Sequence, residues 1–123
     1  MKVISTEKAP AAIGPYSQGI VAGDFFFASG QIAIIPETGE IAEATIEAQT
    51  EQVMKNIGNL LAAAGADYSK VVKTSCFLAD MGDFGTFNEI YAKYFTSKPA
   101  RSCVAVKALP KNVLCEVEVI AAV

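Results

Sequence analysis

The sequence predicts an α+β fold in which two helices cover one face of a mixed β-sheet. The chain has 123 residues, which fits a single domain over residues 1–123 that buries roughly two-thirds of its unfolded surface. Apolar residues make up 52% and charged residues 19% of the chain, a composition that excludes disorder. Apolar β-prone segments alternate with two helical patterns in the order β-β-β-α-β-α-β-β, which is typical of a layered α+β domain.

The N-terminal part of the chain contains three predicted strands. A short strand lies near residues 3–5. Strands over 18–22 and 25–29 flank a Gly23-Asp24 turn and therefore form a hairpin. Pro36-Glu37-Thr38-Gly39 is a second turn, because these residue types favour turn geometry.

The spacing of apolar residues predicts the longer helix over 45–64, with Thr45 as its N-cap and Gly65 after its last turn. Its apolar residues recur every three or four positions, as one buried helix face requires. These residues are Ile46, Val53, Ile57, Leu60, Leu61 and Ala64.

The C-terminal half contains three more strands and a second helix. The β-branched run over 71–78 predicts a strand, and the aromatic stripe over 83–95 predicts a helix with Asp83 as its N-cap. The stripe consists of Phe84, Phe87, Tyr91, Tyr94 and Phe95. We interpret this stripe as core. The last strands are predicted over 101–106 and 114–120.

The sheet face opposite the helices requires a cover, because strands this apolar do not face water. Nothing else in the chain can supply it. The sequence therefore predicts self-association, sheet against sheet, with closed symmetry.

Several classes of function are excluded or disfavoured by composition. The chain has no His, which excludes Ser-His-Asp or Cys-His catalysis and a His-ligated metal site. The three cysteines are Cys76, Cys103 and Cys115, and their spacing does not match a zinc site or a disulfide framework. An odd number of cysteines without a signal peptide indicates a reducing cytoplasm. A net charge of −3 disfavours nucleic-acid binding. No apolar run is long enough for a membrane span, and we read no secretory signal peptide.

Arg101, Glu116 and Glu118 are the charged candidates for chemistry. Arg101 begins a strand and suits a carboxylate or phosphate, but the residues alone favour a strand-end Arg that reaches solvent or pairs with Glu118. Glu116 and Glu118 lie on one face of the last strand, and burial would raise a Glu pKa toward the range of general acid–base catalysis. The alternative is that both are solvated edge charges.

Weaker candidates lie in two turns and one strand. Tyr16, in a turn fixed by Gly and Pro, can orient a ligand or simply pack against its neighbours. Gly30, after Ser29, permits close approach of a ligand or another chain. Cys103 lies on the same strand face as Arg101, and the charge of Arg101 would lower the pKa of the Cys103 thiol. The simpler interpretation of Cys103, as of Cys76 and Cys115, is a small buried hydrophobic residue. Asn88 is by default a solvated polar residue.

Taken together, several segments in order resemble the RidA/YjgF family of imine and enamine deaminases. Each segment is a modest signal, but together they extend over essentially the whole chain. The segments are Ala12-Ile13-Gly14-Pro15-Tyr16-Ser17-Gln18, Ala28-Ser29-Gly30-Gln31, Asn88-Glu89-Ile90-Tyr91, Pro99-Ala100-Arg101-Ser102-Cys103-Val104 and Glu116-Val117-Glu118.

The resemblance implies a chorismate-mutase-like α+β sandwich that forms homotrimers with a central barrel and sites between subunits. It implies hydrolysis of 2-imino and enamine acids such as 2-iminobutyrate and 2-aminoacrylate to 2-keto acids and ammonia, without metal or cofactor. By position, Arg101 would bind the substrate carboxylate, Glu116 would handle the water and Tyr16 would help to position either. The residues that would line the cleft are Ser29, Gly30, Phe84, Asn88 and Cys103.

The sequence departs from the family pattern at Cys115, Ala105 and Lys107. Cys115 is similar in size to the commoner aliphatic residue, whereas the other two positions lie on the face shared with Arg101 and are where a shift in specificity or rate is expected. Two other functions remain open at this point. One is a module that senses small carboxylates without catalysis, and the other is an RNA-directed activity that the charge disfavours.

Overall fold

The computed structural model describes residues 1–123 and contains a six-stranded mixed sheet packed against two helices. The strands are ordered β1-β2-β3-β6-β4-β5, and only the β4–β5 pair is parallel. The elements are β1 (Lys2–Ile4), β2 (Gly19–Ala22), β3 (Phe25–Ala28), α1 (Ile46–Ala63), β4 (Val71–Leu78), α2 (Phe84–Tyr94), β5 (Ala100–Ala105) and β6 (Cys115–Ala122). Short 3₁₀ turns span Tyr68–Lys70, Met81–Asp83 and Pro110–Asn112. The predicted α+β class and element order are confirmed.

Helix α1 begins and ends where its sequence predicts. The Thr45 side chain accepts a hydrogen bond from the Ala48 backbone N–H at 3.1 Å, and Gly65 adopts a φ of +78° just beyond the last turn. The predicted apolar face is buried, apart from Ala64, which is half-buried. No helix of this chain combines the length and the apolar character that a membrane crossing requires.

Helix α2 begins differently from the prediction. Asp83 occupies the N-cap position, but its side chain makes no capping hydrogen bond. The reason is that a 3₁₀ turn precedes the helix, so the backbone at Asp83 is already helical, and the cap lies further upstream. Asp80 accepts from the Gly82 backbone N–H at 2.8 Å. The prediction of Asp83 as a capping side chain is therefore wrong.

The strand boundaries differ from the prediction by one or two residues. Strand β1 begins and ends one residue earlier, and β6 continues to Ala122 because Phe25 of β3 extends the antiparallel ladder to that residue. Strand β4 has the predicted bounds.

The core lies between the helices and one face of the sheet. Alternate residues of β6, such as Val117 and Val119, point into it and are almost completely buried. They pack in the same cluster as Leu60 of α1 and Phe87 of α2. The aromatic stripe of α2 is core at Phe87, Tyr91 and Phe95, as its pattern predicts.

The other face of the sheet is left open and carries several exposed apolar side chains. Val3, Phe25, Phe27 and Val104 are 62%, 43%, 43% and 48% exposed. The strand register places Val3 of β1 in line with Phe27 of β3, and Phe25 lies on the same face two residues before Phe27. Val104 of β5 is opposite Phe77 of β4. Exposed apolar patches of this kind mark interaction surfaces in soluble proteins.

Candidate active site

A cavity of about 410 Å³ opens at the end of the sheet where the loop before β2 meets β6. Tyr16 comes from that loop, Ser29 and Gly30 from the end of β3, and Glu116 and Glu118 from β6. The structure thus brings four of the predicted site residues, Tyr16, Ser29, Gly30 and Glu116, into one cavity.

Glu116 is the half-buried carboxyl group of this cavity. Burial, together with the neighbouring charge of Glu118, raises its pKa above the ordinary value of 4.5. Glu118 lies on the same face two residues further along β6 and is exposed. The direction of the shift agrees with the sequence-based expectation, and it makes Glu116 easier to protonate than an ordinary carboxylate.

Gly30 lies directly against the Glu116 side chain. A Cβ at residue 30 would be 2.8 Å from the carboxyl carbon of Glu116 and would overlap one of its oxygens. A pair of backbone hydrogen bonds between Gln31 and Val117 holds this stretch beside β6. The close approach that a glycine permits here is therefore to a side chain of the same chain.

The hydroxyl groups of the cavity have different hydrogen-bonding capacities. The Ser29 hydroxyl donates its proton to the Ser17 carbonyl at 2.6 Å, so toward a ligand it can only accept. The Tyr16 hydroxyl accepts from the Ile13 backbone N–H at 3.3 Å, which leaves its own proton free to donate. Tyr16 thus bonds a neighbour, as its simpler interpretation predicts, and still has a donor for a ligand.

Gln18 is a functional support that sequence reasoning missed. Its buried side chain accepts from the Thr6 N–H at 2.7 Å and donates to the Pro10 carbonyl at 2.7 Å, which ties the N-terminal segment to the start of β2. Pro10 belongs to the cavity lining, so this bond helps to shape the cavity. The available signal was an amide at the head of an otherwise apolar strand.

Arg101 lies in a second cluster, built from β5 and α2. Its Nη1 donates to Asn88 Oδ1 at 2.6 Å, and its guanidinium carbon lies over the rings of Phe84 and Tyr91. Asn88 is therefore half-buried and bonded instead of freely solvated, and Arg101 does not pair with Glu118. A guanidinium has five N–H donors, so most remain available for an anion.

Cys103 borders this second cluster as a protonated thiol. Burial raises its pKa, and this effect outweighs the opposing effect of Arg101. Arg101 does lower the pKa of Cys103, as expected, but the larger effect of burial makes the net shift upward. Cys76 and Cys115 are buried in the core as predicted, with their pKa values raised to about 12 and about 11, mainly by burial.

The two clusters lie on opposite faces of the sheet. Arg101 is opposite Thr74 on β4, which is opposite Val119 on β6, and residues directly opposite one another project from the same face. Val119 points toward the helices, whereas Glu116 alternates with it and points to the open face. Arg101 does not line the Glu116 cavity. One chain therefore does not bring Arg101 and Glu116 together.

The two clusters can perform complementary chemistry. The cavity offers a carboxyl group of raised pKa and a phenolic donor, which suits proton transfer to and from water. The second cluster offers a guanidinium that can hold a carboxylate through two parallel hydrogen bonds. No group of three or more His, Cys, Asp or Glu side chains is placed to hold a metal ion.

The positions that depart from the family pattern lie outside the cavity. Cys115 is fully buried next to Thr50, with Sγ and Oγ1 3.7 Å apart, so it behaves as a core residue. Ala105 and Lys107 are exposed at the end of β5.

Comparison with known proteins gives a consistent set of relatives. Residues 6–123 match the sequence model of the family described as Endoribonuclease L-PSP. The chain is 59% identical over 121 residues to Reactive Intermediate Deaminase A, chloroplastic, of Arabidopsis thaliana, an alignment that covers 98% of this chain and 65% of that protein. This chain thus spans just under two-thirds of the plant relative.

Two further relatives match over nearly their whole length. The 2-iminobutanoate/2-iminopropanoate deaminase of Mus musculus is 50% identical over 121 residues, which cover 98% of this chain and 90% of the mouse protein. The crystal structure of E. coli TdcF with bound serine superposes with a TM-score of 0.95 at 42% identity, and covers 100% of this chain and 99% of that chain.

We expect Gly30→Ala to displace the Glu116 carboxyl group from its seat. The added Cβ overlaps that group, so the carboxyl moves toward solvent, its pKa falls toward 4.5 and the melting temperature drops. A ¹³C NMR titration of Glu116 and a thermal melt measure these changes. Gly85→Ala is the matched control, because a Cβ at residue 85 meets nothing within 4 Å. An unchanged Glu116 pKa in Gly30→Ala would contradict the described contact.

Proposed function

The chain belongs to the Endoribonuclease L-PSP family, also called RidA/YjgF, and we propose that it hydrolyses reactive 2-imino acids and their enamine tautomers to 2-keto acids and ammonia. A relative 59% identical to it is named Reactive Intermediate Deaminase A, and one 50% identical is named 2-iminobutanoate/2-iminopropanoate deaminase. The observation that most supports the proposal is the half-buried Glu116, of raised pKa, in a cavity of small-molecule size. In this proposal residues 1–123 act as one domain.

The reaction needs no covalent nucleophile, because an imine carbon is already electrophilic. Glu116 takes a proton from water as the water oxygen bonds to the carbon of the protonated imine, and a tetrahedral carbinolamine forms. Glu116 then returns this proton to the nitrogen. As the C–N bond breaks and ammonia leaves, Glu116 takes the proton of the carbinolamine hydroxyl, whose oxygen becomes the carbonyl of the 2-keto acid, and passes that proton to the released ammonia. The missing His is no obstacle to this sequence of steps.

In the proposed site, Arg101 binds the substrate carboxylate and fixes the direction from which water approaches. Tyr16 donates its free hydroxyl proton to substrate or water, and Ser29 and Gly30 line the cavity. Phe84, Asn88 and Cys103 border the guanidinium side of the cleft. No metal or cofactor is assigned to any step.

Arg101 must come from a second copy of the chain, because in one chain it lies on the face opposite Glu116. We therefore propose a homotrimer in which the open sheet faces pack into a central barrel and each cleft lies between two subunits. The exposed Val3, Phe25, Phe27 and Val104 supply the apolar surface that such packing would bury. A ring of identical one-way contacts closes with this symmetry.

The proposed ligand is small, and relatives differ in where they act. The E. coli TdcF structure holds serine, a small molecule with a carboxylate and a nitrogen on the adjacent carbon, as in the proposed substrates.

For this chain we propose a cytoplasmic location, on the grounds of its cysteine content, whereas the Arabidopsis relative is named chloroplastic.

The family is described as Endoribonuclease L-PSP, but the charges of this chain disfavour RNA as its substrate. The chain carries a net charge of −3, and the Glu116 cavity also contains Glu118, so the site repels a phosphate backbone. A sensing module without catalysis would require the Arg101 cluster alone and would leave the half-buried Glu116 without a task.

We expect Arg101→Ala and Glu116→Gln to impair different steps. Arg101→Ala removes a charged hydrogen-bonding partner of the substrate and raises KM about 10- to 100-fold. Glu116→Gln keeps the shape but removes the proton acceptor, so kcat falls about 10²- to 10⁴-fold. The assay follows keto-acid release from 2-iminobutyrate generated enzymatically in the same cuvette.

The matched controls are Lys55→Ala and Glu47→Gln, which remove one exposed positive and one exposed negative charge from α1. Both controls should retain wild-type kinetics. Wild-type rates in Arg101→Ala and Glu116→Gln together would remove the proposed mechanism.

We also expect the acidic limb of the pH–rate profile to report Glu116. As the base, Glu116 must be ionised, so kcat/KM falls as pH drops through its pKa, which lies above 4.5. Glu118→Gln removes the neighbouring charge that, after burial, raises this pKa, and the limb should move to lower pH. A limb that stays in place or moves to higher pH in Glu118→Gln would assign the titration to another group.

A further inference from the structure

We propose that Tyr91 is a positioning residue for Arg101, whose guanidinium rests on the Tyr91 ring in the orientation that receives the substrate carboxylate. The inference rests on the proposed function, because it assigns Tyr91 a task in the carboxylate binding that Arg101 performs there. Tyr91 itself contacts Arg101 and not the substrate.

The guanidinium of Arg101 is held on its flat side and at one corner. Its carbon lies 4.8 Å from the centroid of the Tyr91 ring and 5.4 Å from that of Phe84, both within the ~6 Å range of cation–π attraction. Asn88 occupies one N–H of Nη1. These contacts leave further N–H groups in the guanidinium plane for two parallel hydrogen bonds to a carboxylate.

Tyr91 is itself fixed in orientation. Its hydroxyl lies 2.7 Å from the Thr74 hydroxyl, and both residues are buried. Its ring packs on Phe95 and Phe87, with centroids 4.6 and 5.9 Å apart. Because Thr74 lies directly opposite Arg101 in the β4–β5 ladder, the residue that anchors the ring is also the strand neighbour of the arginine.

The buried hydrogen-bonded pair of Tyr91 and Thr74 requires an explanation, because Phe and Val would fill the same volume without any buried polar group that requires a partner. What the hydrogen bond adds is a fixed position of the ring edge, and hence of the ring face under Arg101. A free arginine loses much rotamer freedom when it binds a ligand. Ordering the guanidinium in advance reduces that loss and strengthens carboxylate binding.

The test compares variants of the ring and of its anchor. Tyr91→Leu removes the ring, and Tyr91→Phe and Thr74→Val each remove the hydrogen bond but keep the ring. We expect Tyr91→Leu to raise KM for 2-iminobutyrate and the Kd for 2-oxobutanoate about tenfold, with kcat within about twofold of wild type. The other two variants should raise both constants about two- to threefold. Kd is measured by isothermal titration calorimetry.

Phe26→Leu is the control for a merely structural effect. It removes a fully buried aromatic ring from β3 and should lower the melting temperature to a similar degree, with KM and Kd unchanged. The proposal is overturned if Tyr91→Leu raises KM and Kd no more than Phe26→Leu does, or if it lowers kcat alone. Should Tyr91→Leu fail to fold, Tyr91→Phe and Thr74→Val decide by the same constants.

The Kd values measured by calorimetry distinguish a failure of this inference from a failure of the proposed function. If the wild-type protein binds 2-oxobutanoate but does not hydrolyse the imine, the deaminase function fails and the Kd values still test Tyr91. If the wild type hydrolyses the imine and Tyr91→Leu has an unchanged KM, only the positioning role fails. If the wild type neither binds nor hydrolyses, both proposals are overturned.

Discussion

The pleat of the sheet constrains the whole site. Successive residues of β6 alternate between the core and the open face, so Val117 and Val119 stabilise the fold while Glu116 remains available for chemistry. The same alternation, transmitted through the register of β4, places Arg101 on the opposite face. A single copy of this chain therefore contains both halves of the proposed catalytic site without joining them. Catalysis by these two groups requires a second copy.

Each half of the site is ordered before any ligand arrives. Glu116 is held against Gly30, where the lack of a Cβ makes room for a carboxyl group whose burial raises its pKa. Arg101 is held by Asn88 and by two aromatic rings of α2. The fold thus restricts both groups within the chain, so the proposed assembly would only have to bring two ordered surfaces together.

The sequence predicts the scaffold better than the site. Regular apolar spacing locates α1 and β4 almost to the residue, because burial of one face determines both elements. It also places Glu116 and Glu118 on one face. The features of the site that the sequence does not predict depend on contacts between residues distant in the chain. These are the Asn88–Arg101 hydrogen bond, the Gln18 hydrogen bonds to the N-terminal segment and the contact of Glu116 with Gly30. The roles of Arg101 and Glu116 came from the family resemblance, because the residues alone left their structural alternatives open.

Subunit mixing tests most directly whether the two groups act across an interface. Arg101→Ala and Glu116→Ala subunits, each with kcat/KM at least about tenfold below wild type when alone, are unfolded, mixed in equal amounts and refolded together. In a trimer with one-way contacts, about three quarters of random assemblies are mixed and each contains one intact cleft, so the mixture should recover about a quarter of wild-type kcat/KM. A mixture no more active than either variant alone, from protein shown by mass to contain both subunits, would contradict the shared site.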